Sequence, residues 1–444
     1  MAAVQTCSKT STSAEPTWVC KFFQIVLKNV VDRPGRIFWG GPLFYHLQKL
    51  KVFANWMTWF NPYAFITFSL CGVDSIYAKV EEDYLENPHK PLQIRYHLSD
   101  DIQTNVEYKR NPMAEAKIKT FRSIVNEINF VGCNLLSVND LTDDQIYGLF
   151  NLALQLEPFN RSMVPLVTGN VMSTLFFQPS TRTRMSFETA MHRLGGAVIS
   201  EANPMVTSSA AKEESLSDML KVVSKYANII VMRHFNDVEA RQAAPYSESP
   251  VINGGWGHWE HPTQALLDLY TLYRTYGRIE GLHVCVASAD LIEARTGHSM
   301  AQGLARLGAK VVLASPKARR TPEEVREKIA SRGIAVDEAF DLNQDNFNEL
   351  ISDMDMVYLP GCSAPKGAEA EAFKAVMDNY FVRYETLEKV ANDSNRTIYV
   401  THTLPRRAGE MDLRIDNSPS QLYFEAIAYS VAIRMALVSA ILGV

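Results

Sequence analysis

Apolar runs of strand length alternate with segments of helical periodicity along most of this chain, and a parallel sheet covered on both faces is what that pattern builds. One series of runs is Val171 to Phe177, Ala197 to Ser200, Asn228 to Met232 and Pro250 to Asn253. A second is His283 to Ser288, Lys310 to Ala314, Asp355 to Leu359 and Ile398 to Thr401. The spacing predicts an α/β protein with two doubly wound parallel-sheet domains, and a chain of 444 residues is long enough to need more than one core. The expected divisions are an N-terminal extension over 1–130, a first domain over 131–270 and a second over 271–420. The helical segment Thr263 to Tyr276 marks the junction. The stretch 421–444, helical in spacing and poor in charge, reads as a closing helix. Before about Cys133 the chain changes character: aromatic clusters appear, with Pro34 and Pro42, a polar linker-like stretch from Glu81 to Arg95, and a helical pattern over Asn111 to Asn129. No chemistry is legible there.

A net charge of -5 excludes the ordinary nucleic-acid binder, which carries a basic excess to neutralise phosphates. Any anion site must therefore be local. Cys7, Cys20, Cys71, Cys133, Cys285 and Cys362 show no Cys-x-x-Cys spacing, so neither a metal centre nor a disulfide framework is expected, and a reducing, cytoplasmic setting fits. The first fifteen residues are rich in Ser and Thr without Arg, which leaves organellar targeting open. Val52 to Val73 carries no charge and could span a bilayer by length. Its Asn55, Thr58, Asn61, Pro62, Thr67 and Ser69 argue instead for a buried aromatic segment or an interfacial helix.

The strongest chemical signal is Phe176-Phe-Gln-Pro-Ser-Thr-Arg-Thr-Arg184. A strand ends, Pro179 turns the backbone, and Ser180 stands where it would cap a helix whose apolar face is Phe187, Ala190, Met191 and Leu194, stopped by Gly195 and Gly196. A helix start presents unpaired N–H groups and positive dipole charge. Hydroxyls on Ser180, Thr181 and Thr183 and the cations of Arg182 and Arg184 complete a phosphate cradle. The plainer alternative is an ordinary capped helix start with two solvated arginines. Neither Gly-rich nucleotide pattern occurs at a strand–helix junction.

This segment resembles the carbamoyl-phosphate motif of the aspartate and ornithine carbamoyltransferase family. Val231-Met-Arg-His234, His261-Pro-Thr-Gln264 and His402-Thr-Leu-Pro-Arg406 match further motifs of that family in the same order, with Thr403 departing. The resemblance covers roughly Cys133 to Val444 and leaves the first third unmatched. It implies that Ser180, Thr181, Arg182 and Thr183 hold the phosphate of carbamoyl phosphate, and that Arg233, His261 and Gln264 reach the carbamoyl end together with Thr183. The backbone carbonyl of Leu404 would hold the carbamoyl NH2. It also implies a homotrimer with shared active sites, a neighbouring subunit contributing Ser208 and Lys212, and no cofactor. Taken alone, His261 is more often a satisfied core or capping histidine and Arg233 a strand-end charge; the company of the cradle favours the ligand role for both.

Carbamoyl phosphate is already activated, so positioning and charge stabilisation suffice. Thr183, Arg233 and His261 would donate to the oxygen on which charge develops, while Arg182 and Lys212 neutralise the leaving phosphate, which takes the amine's proton. No Ser-His-Asp set or carboxylate pair offers another route.

For the amino acceptor, Asp290-Leu-Ile-Glu-Ala-Arg-Thr-Gly-His-Ser299 resembles the corresponding segment of the aspartate enzymes. Arg295 would then clamp a carboxylate with two parallel donors, and Arg406 would contact either substrate. The implied reaction is L-aspartate to N-carbamoyl-L-aspartate, in pyrimidine biosynthesis. One departure stands against it: Gly361 occupies the place of an arginine that grips aspartate's second carboxylate, and Ser363 that of a nearby glutamine. Lys366 or Arg407 would have to substitute, or the acceptor is another amine. Trp256 and Trp259 stand where small polar residues are usual, either as core or as a narrowing of the pocket. A non-catalytic carbamoyl-phosphate-binding relative is the third reading, and the intact Arg182, Thr183, Arg233 and His261 speak against it.

Overall fold

The computed structural model describes residues 121–444, apart from 209–212, 332–335 and 363–368, and before them the backbone of three strands. Lys212, Ser363 and Lys366 therefore lie outside the described residues, as do the N-terminal Ser/Thr-rich stretch and most of Glu81 to Arg95. The chain divides into compact units at 1–111 and 112–444. In the first, β1 (Ile66–Leu70), β2 (Val73–Lys79) and β3 (Arg95–His97) form an antiparallel sheet in that order. β1 lies within the charge-free stretch, so this part of it is extended rather than a membrane helix.

The first described element of the second unit is α1 (Phe121–Ile128), which buries Ile124, Val125 and Ile128; the earlier part of the predicted helical stretch, 111–120, lies outside the described residues. α2 (Asp143–Leu156) starts at Thr142, whose hydroxyl accepts the Gln145 N–H while the Gln145 side chain accepts the Thr142 N–H. Then come β4 (Val171–Phe176), α3 (Thr181–Arg193), β5 (Ala197–Glu201), α4 (Leu216–Val223), β6 (Ile229–His234), α5 (Asp237–Ala243) and β7 (Val251–Trp256). The four strands form a parallel sheet in the order β5-β4-β6-β7.

α6 (Pro262–Tyr276) leads from this sheet to the next and ends at Gly277, where φ of +71° needs a residue without Cβ. The next sheet is built from β8 (His283–Ala287), β9 (Lys310–Ser315), β10 (Val336–Phe340), β11 (Met356–Leu359) and β12 (Tyr399–His402), parallel and ordered β10-β9-β8-β11-β12. Its helices are α7 (Arg295–Arg306), α8 (Glu323–Ala330), α9 (Gln344–Ser352), α10 (Glu369–Asn379) and α11 (Tyr384–Ser394). β10 was not anticipated. It is an edge strand, mixed in sequence and only partly buried, so no apolar run announces it.

The closing helix α12 (Tyr423–Leu442) is long and apolar enough to cross a bilayer by composition, yet it is mostly buried and packs on α2, α3 and α6. Ala432, Ile433, Met435, Ala436, Leu437 and Val438 enter the core that also holds Phe150, Phe187 and Leu266.

Both strand orders contain a reversal point, where successive strands depart in opposite directions. It falls between β4 and β6 in one sheet and between β8 and β11 in the other. Open α/β sheets bind ligands outside the carboxyl ends of the strands at such points.

Candidate active site

At the first reversal point the carboxyl ends of β4 and β6 are in register, with Phe176 opposite Arg233. The chain leaves β4 through Gln178 and Pro179 and enters α3 with Ser180 at its N-cap in extended conformation. The Ser180 hydroxyl makes no capping hydrogen bond, contrary to the capping role expected for it. Both the hydroxyl and the first-turn N–H groups thus remain available to an anion. Thr181 and Arg182 are exposed and Thr183 is buried. Arg184 departs from the expected cradle: its guanidinium pairs with Glu188 at 3.1 Å and with Ser200.

Around this turn the structure gathers the guanidinium groups of Arg182, Arg233 and Arg295, none of them paired with a carboxylate among the described residues. Arg233 donates Nη1 to the Gly254 carbonyl at 3.1 Å, while its buried Nε has no partner among the described residues. Burial, then the charges of Arg295 and Arg182, bring its pKa down to about 9. Arg295, the first residue of α7, reaches over from the second sheet to the Gly257 carbonyl and to Gln178 Oε1 at 3.1 Å. Burial lowers its pKa to about 10. Arg182 donates to the carbonyl of Leu404. Converging guanidinium groups raise one another's cost, and an anion among them removes that cost. The positive charge is stored for a ligand.

His261, at the N-cap of α6, is held by its backbone N–H donating to Ser299 Oγ at 2.9 Å. Its Nδ1 lies 3.3 Å from the Thr263 hydroxyl and its Nε2 3.5 Å from Thr183 Oγ1. Burial first, then Arg233 and Arg295, hold its pKa well below the ordinary imidazole value. The ring is neutral, and the tautomer in which Nδ1 accepts from Thr263 carries its proton on Nε2, facing Thr183 Oγ1. Gln264 donates both ways to Asp268, at 3.0 and 3.1 Å, which also accepts from Tyr358 at 2.8 Å. That arrangement leaves the amide oxygen of Gln264 for an N–H donor.

The structure therefore brings Ser180, Thr181, Arg182, Thr183, Arg233, His261, Gln264, Arg295 and Leu404 to one cleft. Arg406, expected to contact either substrate, has its guanidinium bound to Asp416, 5.2 Å from the Tyr423 ring and 5.7 Å from Phe424. Ser208 closes the turn Pro204–Thr207, its hydroxyl donating to the Pro204 carbonyl at 2.7 Å. Trp256 proves to be core: it is fully buried and donates Nε1 to Met232. Trp259 lies against it, between Arg241 and Lys328.

Sequence reasoning missed several contributors. Gly255 has a φ of +110°, and a Cβ there would meet Arg233 Nη1 at 2.8 Å and His261 Cδ2 at 3.1 Å. A glycine pair inside a strand was the available signal. Gln178 and Ser299 act on the site through Arg295 and His261, residues distant in sequence, and Asp268 through Gln264 one helical turn before it.

Two family models match the chain: the aspartate/ornithine carbamoyltransferase carbamoyl-P binding domain over residues 133–274, and the Asp/Orn binding domain of the same family over 280–441. A ureidoglycine carbamoyltransferase of Rubrobacter xylanophilus is 68% identical over 329 residues, 74% of this chain and 97% of that relative. An aspartate carbamoyltransferase catalytic subunit of Thermoplasma volcanium is 38% identical, over 70% of this chain and 98% of its own. Among solved structures, the catalytic subunit of M. jannaschii aspartate transcarbamoylase is 34% identical with a TM-score of 0.60, covering 69% of this chain and 96% of that one. Aspartate transcarbamoylase from Trypanosoma cruzi, in complex with N-(phosphonacetyl)-L-aspartic acid, is 29% identical with a TM-score of 0.62, covering 70% of this chain and 97% of that one. Fold and cleft together define an enzyme that transfers a carbamoyl group. The chain belongs to the aspartate/ornithine carbamoyltransferase family.

Proposed function

We propose that this carbamoyltransferase uses ureidoglycine as its acceptor rather than aspartate. The observation that carries the reading is Gly361. It stands two residues past the end of β11, after Pro360, with a φ of +75°, and as a glycine it offers no guanidinium to a second carboxylate. Aspartate presents two carboxylates. Ureidoglycine presents one, which Arg295 can clamp, and a neutral urea group in place of the other. The 68% identity to the Rubrobacter ureidoglycine enzyme, against 38% for the Thermoplasma aspartate enzyme, supports the same acceptor.

In this reading carbamoyl phosphate seats its phosphate on the α3 N–H groups with Ser180, Thr181, Arg182 and Thr183, and a neighbouring subunit of a trimer adds Ser208 and Lys212. Arg182 exchanges the Leu404 carbonyl for the phosphate, and the freed carbonyl, with Gln264, takes the carbamoyl NH2. The acceptor's neutral amine attacks the carbonyl carbon, and Thr183, Arg233 and His261 donate to the oxygen as it becomes negative. The C–O bond to phosphate then breaks, and the departing phosphate takes the proton from the amine. The product carries two ureido groups on one carbon.

The test is to incubate the purified protein with carbamoyl phosphate and ureidoglycine, aspartate or ornithine, and to identify products by mass. A diureido acid formed faster than any other product is expected; N-carbamoylaspartate as the main product overturns the acceptor assignment.

A further inference from the structure

We infer that Asp268 is a positioning residue that sets which group is transferred: its buried carboxylate holds the Gln264 amide one way round, oxygen toward the cleft, so that the site takes a carbamoyl NH2 and rejects a methyl in its place. The inference rests on the reading that puts Gln264 at the carbamoyl end and is independent of the acceptor.

Carbamoyl phosphate and acetyl phosphate differ by an NH2 against a CH3 of almost the same size. Packing separates such a pair poorly, whereas a desolvated oxygen left without its N–H rejects the methyl strongly. An amide side chain carries an oxygen and an NH2 at nearly equivalent positions. Gln264 can therefore discriminate only if something fixes which of the two faces the substrate.

Asp268 stands four residues further along α6, one turn away on the same face. Gln264 Nε2 donates to its Oδ1 at 3.0 Å and to its Oδ2 at 3.1 Å, and the Tyr358 hydroxyl on β11 donates to Oδ2 at 2.8 Å. An ionised carboxylate only accepts. The NH2 of Gln264 must face it, which turns the amide oxygen the other way. Gln264 is also the one residue of 261–272 that is not buried, so the end of its side chain left free by Asp268 is the end that a ligand can reach.

The arrangement depends on Asp268 being ionised. It is only 3% exposed, and burial pushes its pKa up to about 7, although Tyr358, Gln264 and then Arg434 pull it down. Arg434 lies on the closing helix α12 and is itself buried. Its Nη1 donates to the Ser430 carbonyl at 3.0 Å, its guanidinium lies 5.2 Å from the Phe187 ring, and its Nε has no partner among the described residues. A cation held in that place favours the carboxylate form of Asp268. The closing helix thus reaches the site through its charge.

The experiment measures Kd by calorimetry, at about pH 8 where Asp268 is ionised, for phosphonoacetamide and for acetonylphosphonate, which carries CH3 where the former carries NH2. The wild-type protein is expected to bind the amide at least about tenfold more tightly. Asp268→Asn offers Gln264 a donor as well as an acceptor and should bring the two Kd values within about threefold of each other, chiefly by weakening the amide. Asp268→Asn combined with Gln264→Glu exchanges the two groups, puts the acceptor-only side chain at 264, and should restore a preference of about tenfold. Equal weakening of both ligands in Asp268→Asn, or a ratio kept at the wild-type value, overturns the role of Asp268 while leaving Gln264 at the carbamoyl end. A wild-type protein that binds both ligands alike removes the underlying reading instead. Should Asp268→Asn fail to fold, the exchanged pair decides: a preference for the amide supports the assignment, and its loss overturns it.

Discussion

The reversal point of the first sheet collects Arg233 and Arg182 and borrows Arg295 from across the cleft; that of the second is flanked by Gly361, which supplies no charge. The topology is alike and the charge differs. A phosphorylated substrate needs fixed cations wherever it binds, so its half of the cleft is built from donors that any member of the family requires. The acceptor half decides between amines, and there a missing side chain carries the information.

Breaking the cationic half should cost most. Arg182→Ala is expected to lower kcat by about a hundredfold to a thousandfold. Its thermal unfolding should stay close to wild type, because the side chain is exposed and bonds only a loop carbonyl. Retained turnover would remove the phosphate assignment.

Arg295 sharpens the comparison, since it is anchored in the acceptor half and touches the phosphate turn. Arg295→Ala should raise the KM for the acceptor by roughly tenfold to a hundredfold, the worth of a charge-assisted pair, with a smaller change for carbamoyl phosphate through Gln178. Steady-state kinetics with each substrate varied in turn would show it. Equal losses for both substrates would place the acceptor's carboxylate elsewhere.

The smallest effect concerns pH. The folded protein keeps His261 neutral, whereas the unfolded chain takes up a proton below pH 6.5, so stability present above that pH is lost as the pH falls through it. His234 and His298 are lowered too, burial being the main cause, and act with the same sign. At most about 1.4 kcal/mol per pH unit is at stake for each histidine. Melting temperatures between pH 7.5 and 5.5 should therefore fall, and fall less steeply for His261→Asn; equal slopes would mean that His261 is protonated in the fold.

Most strands of both sheets were legible in the sequence because they are buried and read as apolar runs, and the exposed edge strand β5 still carries Ala197-Val-Ile199, whereas β10, with Asp337 and Glu338 inside it, was not. The phosphate turn was legible because donors, hydroxyls and arginines lie within a few residues of one another. The support beneath Gln264 was not: Tyr358 stands 90 residues beyond Asp268 and meets it only in the fold. Local pattern also placed Arg184 in the cradle, whereas its guanidinium turns to Glu188. The aspartate motif around Arg295 spoke for one carboxylate, and Gly361 already warned against two.

The central claim is that the helix entrance at Ser180 and the guanidinium cluster form a single seat for carbamoyl phosphate. A crystal structure of the protein with phosphonoacetamide, a phosphonate that cannot transfer its acyl group, tests it most directly. The phosphonate should lie on the N–H groups of residues 180–183 with Arg182 withdrawn from Leu404, and the amide oxygen should lie within hydrogen-bond reach of Thr183, Arg233 and His261. A phosphonate bound elsewhere, or an amide oxygen facing away from those three donors, would contradict the account.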